Sequence, residues 1–127
     1  LKTYIKTFSK LLKHNGRLII AVPNHTSYDA QFYKNYWAAF DVPRHLYHFS
    51  PSSMKFLMKS NGFELVNVKP MWFDSFYVSL LSEKYKKTGL LGIARAFLIG
   101  GISNLLALNS NAKASSIIYE IKKTKED

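Results

Sequence analysis

A chain of 127 residues, 47% hydrophobic and 15% aromatic, is long enough for one domain and too apolar to be disordered as a whole. Without cysteine it has no disulfide framework, thiolate metal site or cysteine nucleophile. Its formal charge of +10 favours anionic partners but does not choose among nucleic acid, anionic lipid and a phosphorylated substrate.

Residues 1–14 place Leu1, Tyr4, Ile5, Phe8, Leu11 and Leu12 at helical spacing, with lysines on the other face. Asn15-Gly16 ends this helix, Gly16 being expected to supply a left-handed stop. Residues 17–22, RLIIAV, are short, branched and apolar on both faces, the pattern of a central parallel strand, and Pro23 closes it. Residues 24–50 carry eight aromatic side chains between Tyr28 and Phe49, too many for a disordered loop. They read as a folded cap with short helical turns around 28–39. Ser50 and Pro51 open a helix that runs to about Ser60, and Asn61-Gly62 stops it. Residues 63–70 alternate Phe63, Leu65, Val66 and Val68 with polar residues, the pattern of a strand near a sheet edge.

Residues 71–112 form a helical insert. Within it, 89–108 is a long apolar helix pattern in which Gly100-Gly101 predicts a break. That run has the length of a bilayer span, but Arg95, Ser103 and Asn104 interrupt it. A hairpin or bent helix packed on the domain is the expected form. Residues 115–123 alternate as a last strand, and 124–127 read as a solvated tail. The chain opens on Leu1 inside a helical pattern and its first methionine is Met54, so it reads as a piece of a longer protein.

The chemistry-bearing residues gather after the first strand. In open α/β sheets, ligands bind beyond the carboxyl ends of the strands, and Asn24 and His25 stand at that end. Three of the four histidines, His25, His45 and His48, fall in this region, with Arg44 beside His45. Imidazole suits proton transfer and guanidinium suits an anionic group. His45 and His25 are therefore the candidate catalytic bases. Arg44 is the candidate anion-binding residue, with Asn24, Tyr28 and Trp37 as pocket wall. His48 fits a packing role at the entrance of the following helix. No metal is expected, because His45, His48 and Asp41 lack a fourth ligand and Arg44 intrudes. Gly89, Gly92, Gly100 and Gly101 lie in apolar helix rather than after a strand, where helix packing explains them better than phosphate binding.

The run NGRLIIAVPN, the string Asp41-Val42-Pro43-Arg44-His45-Leu46-Tyr47-His48-Phe49-Ser50 and the helix closing on Asn61-Gly62-Phe63-Glu64 resemble the C-terminal half of bacterial class I S-adenosylmethionine-dependent methyltransferases. The resemblance covers residues 1–70. It implies a partial Rossmann-like α/β fold, with 17–22, 63–70 and 115–123 as the fifth, sixth and seventh strands of the family's sheet. The expected three-stranded mixed sheet has the order 17–22, 115–123, 63–70, the last strand in the middle and antiparallel to its neighbours. Helices 1–14 and 51–60 should cover it. The whole of 1–127 is then the C-terminal part of one methyltransferase domain. The family's cofactor-binding loop has no counterpart here, and the resemblance places the S-adenosylmethionine-binding half upstream.

The implied activity is methyl transfer by the intact protein to a small-molecule or glycan-like acceptor held under the cap, the isolated piece being inactive. The competing expectation is a basic module for nucleic acid or an anionic membrane surface, without catalysis. The expected location is the cytoplasm, with a peripheral membrane position under the second reading. Self-association through the bare edge of strand 17–22 is also expected.

Overall fold

The computed structural model describes residues 1–124; the tail beyond Thr124 lies outside the described residues. Helix α1 (Lys2–Leu11) leads into strand β1 (Leu18–Pro23), and the cap follows as helix α2 (Tyr28–Tyr33) with two short 3-10 turns, Lys34–Tyr36 and Ala38–Phe40. Next come α3 (Pro51–Lys59), β2 (Phe63–Pro70), α4 (Asp74–Tyr85), α5 (Gly89–Asn109) and β3 (Ser116–Lys123). The architecture is α/β and compatible with part of a Rossmann-like domain.

The sheet order is β1-β3-β2, with both pairings antiparallel. β1 and β2 thus run the same way on either side of the strand that is last in sequence. Ile20 pairs with Tyr119 and Leu65 with Ile121. Ile117, Tyr119 and Ile121 point to one face, where Ile5 of α1 and Met54 and Met58 of α3 close the main core. The apolar run of β1 suggests a central strand, but among the described residues it lies at the sheet edge. Ile19 is 58% exposed because it points away from the face on which Leu18, Ile20 and Val22 reach the main core.

Local chemistry sets the element ends. Ser50 caps α3 through a reciprocal pair of hydrogen bonds with Ser53, and Pro51 occupies the first helical position, where its missing N–H costs nothing. Gly62 adopts φ +77°, the left-handed stop expected of a helix terminator. Gly16 does not. It is a close-approach residue, since a Cβ there would lie 2.9 Å from the Leu12 side chain.

α5 is one unbroken helix, so Gly100-Gly101 is not a break. The reason is contact with α4, which lies antiparallel to it: a Cβ on Gly100 would meet the Phe76 backbone at 3.1 Å. This pair and α2 enclose a second core around Tyr33, Trp37, Val78 and Ile99.

Candidate functional site

β1 ends at Pro23, and a cleft of about 220 Å³ opens beside it. One wall is the cap: Ala38, Ala39, Asp41, Arg44 and His45. The other is one face of α4: Asp74, Tyr77, Val78, Leu81 and Tyr85. The spacing of these α4 residues is helical, so they rise along a single stripe. Tyr77 and Tyr85 are each more than half exposed, which leaves their phenols accessible at the cleft.

His45 is fixed by its ring. Nδ1 lies 3.0 Å from the Ala39 carbonyl oxygen. A carbonyl can only accept, so Nδ1 carries the hydrogen and the neutral ring keeps its lone pair on Nε2. The backbone supports the same placement, because the His45 N–H donates to the Asp41 carbonyl at 3.0 Å. Arg44 stands on the rim with its side chain 83% exposed and forms a loose 3.7 Å ion pair with Asp41. A pair this exposed contributes little to stability, so Arg44 is available to a ligand. Asp74 accepts a short hydrogen bond from Ser116 and thereby ties the α4 wall to the start of β3.

The structure brings Arg44 and His45 together in the cleft and places the other expected site residues elsewhere. Asn24 is buried and bonds only to the protein. Its Nδ2 donates to the Ala112 and Ala114 carbonyls at 2.9 Å each, and its Oδ1 accepts from the backbone and hydroxyl of Thr26. Trp37 is also buried, its Nε1 donating to Asp29 at 2.7 Å. Tyr28 stacks on Phe32 and packs against the second core. His25 is exposed and sits outside the cleft lining, its N–H held by the Phe49 carbonyl. His48 donates from Nε2 to the Phe40 carbonyl at 3.0 Å and meets the Phe40 ring edge-on, the packing role its position suggests.

Asp74, Tyr77 and Tyr85 are additions that sequence reasoning missed. The signal was present as Tyr77 and Tyr85, three and eleven residues after Asp74, on one helical stripe. It needed the knowledge that this helix faces the cap.

Two buried carboxylates brace the site without lining it directly. Asp29 is fully buried and accepts from Trp37, Ser103 and Ser115 at 2.7–2.8 Å. Glu83 is 3% exposed and takes a two-pronged bond from Arg95, 2.7 Å on each arm, plus the Thr88 hydroxyl. The Arg95 guanidinium holds the Glu83 carboxyl down at about 2. Burial, reinforced by the Glu83 carboxylate, raises the nearby Tyr33 phenol above its ordinary value.

Residues 1–68, from α1 through most of β2, match the model of a family described as a methyltransferase domain. No curated protein and no solved structure matches the chain.

Proposed function

The chain belongs to the methyltransferase domain family, and from that premise we propose that it serves S-adenosylmethionine-dependent methyl transfer by supplying the acceptor side of the active site. The cleft between the cap and α4 holds the acceptor. The observation that carries this reading is the His45 ring: Nδ1–H is committed to Ala39, which leaves Nε2 as a base in a cleft rimmed by the exposed Arg44 guanidinium, only loosely paired with Asp41. For a hydroxyl acceptor, Nε2 takes the proton as the oxygen becomes nucleophilic. Arg44 binds a carboxylate or phosphate on the acceptor and fixes its orientation. Tyr77 and Tyr85 offer hydroxyls and ring faces suited to a sugar or other polar ring.

S-adenosylmethionine supplies an electrophilic methyl group when bound. The described residues do not form a cradle for it. Gly16 and Gly62 precede strands, and the other four glycines belong to α5. Asn24, just beyond β1, has its amide fully used by the protein.

The test is kinetic, on the intact enzyme, with S-adenosylhomocysteine release measured against a panel of hydroxyl acceptors with and without an anionic group. His45→Gln should lower kcat by about 100-fold or more, the usual contribution of a general base, with little change in KM. Arg44→Ala should raise KM for the anionic acceptors only. If both variants fold and keep kcat and KM, the site is elsewhere.

A further inference from the structure

α5 is built inside out. The side it turns to the protein is mostly small residues, Gly92, Ala96, Gly100, Ser103 and Ala107, with Ile99 the one large side chain buried among them. The side it turns outward carries Leu90, Leu91, Phe97, Leu98, Leu105 and Leu108, each at least 54% exposed. A soluble surface helix shows the opposite arrangement. At 21 residues the helix is about 31 Å long, so this is a continuous apolar strip rather than scattered side chains.

Its surroundings supply the charge. Lys84 and Lys87 border the groove next to Ile93 at the α4–α5 turn. Lys86, between them in sequence, lies over the Phe32 and Tyr36 rings of the cap at 5.8 and 5.9 Å. The carboxylates of the hairpin do not answer these lysines: Glu83 is buried against Arg95, and Asp74 is bonded to Ser116. At the far end Trp72 and Phe73 are exposed, close to Asn104, which donates to the Trp72 carbonyl. Apolar length, cationic rim and flanking aromatic residues match the boundary of a bilayer with anionic headgroups.

We infer that the outer face of α5 docks on an anionic phospholipid bilayer, lying in the interfacial plane with Lys84 and Lys87 among the headgroups. The helix does not cross the bilayer. Its inner face is bonded to the domain through Ser103 to Asp29, Arg95 to Glu83 and Asn104 to Ser75, and spanning would break all three. This inference concerns a surface separate from the acceptor cleft and does not depend on the methyl-transfer reading.

The experiment uses the full chain with phosphatidylcholine vesicles and with vesicles containing one quarter phosphatidylglycerol, read by flotation and tryptophan fluorescence. Trp72 reports the strip, and Trp37 is buried. The expected result is flotation with the anionic vesicles, at least tenfold weaker with the neutral ones, a blue shift and quenching by shallow rather than deep lipid quenchers. Leu91→Asp with Leu98→Asp should abolish binding with thermal unfolding unchanged, since both side chains are exposed. Lys84→Glu with Lys87→Glu should weaken binding about tenfold. The inference is overturned by absence of flotation at low salt, by unchanged binding of the leucine variant, or by deep quenching. A dimer that the leucine variant abolishes, in place of vesicle binding, would overturn it in favour of a second copy.

Discussion

Asn24 shows how a polar residue at a functional address can be structural. A strand end in an open α/β sheet is where ligands bind, yet this amide has two donors and an oxygen and the protein uses them all. Asn24→Ala should cost about 2 kcal/mol in urea unfolding, since it leaves the buried Ala114 carbonyl without its partner. Asn24→Asp should cost more, because it turns a carboxylate oxygen toward two carbonyls. Glu83 makes a prediction of different form. Its folded carboxyl sits at about 2 and its ordinary value is 4.5, so the unfolded chain binds its proton first as pH falls. The stabilisation is full above about pH 4.5 and is lost toward pH 2. Melting temperature measured across that range should fall steeply in the wild type and less steeply in Glu83→Gln. The Arg95 guanidinium is the main cause of this profile, and Arg95→Gln should flatten it too.

Elements with regular periodicity were legible in the sequence, and the exceptions have local causes. In β2 the apolar residues Phe63 and Leu65 keep step, and then Val66 and Val68 fall out of phase with them. The structure resolves this as a bulge between Leu65 and Asn67: Val66 is 42% exposed while Phe63, Leu65 and Val68 all reach the core. The slip in the pattern was the bulge. For Gly100-Gly101, sequence alone gives the same residue twice and cannot say that the two do different jobs. Gly100 admits the Phe76 backbone, whereas a Cβ on Gly101 would meet nothing within 4 Å. Gly101→Ala should therefore raise stability by about 0.5–1 kcal/mol through helix propensity. Gly100→Ala should lower it, because the Phe76 backbone must move. Chemical denaturation of the two variants side by side checks both signs. The cleft was half legible for a related reason. Arg44 and His45 stand in a sequence string with visible chemistry, but the opposing wall belongs to a helix whose partner is fixed only by tertiary contact.

At the scale of the whole molecule, a buried carboxylate ties together elements of the two cores, which α5 also bridges through Ile99 and Ala107. Asp29 of α2 receives Trp37 from the cap, Ser103 from α5 and Ser115 from the entry to β3. Asp29→Ala strands three buried donors and should cost about 3 kcal/mol or more. It should also uncouple the cores, so that Trp37 fluorescence and far-UV circular dichroism cease to give coincident unfolding transitions. No periodicity announces such a hub, since its partners come from three separate stretches of chain. The position of β3 has a further consequence, for the order of events on the ribosome. Among the described residues each outer strand pairs with β3 and neither pairs with the other, so during synthesis β1 and β2 both emerge before the strand they share. Helices and the α4–α5 hairpin rest on nearer contacts and can form as they appear. The sheet must wait until its middle strand is translated, which makes closure of the main core later than formation of the helices.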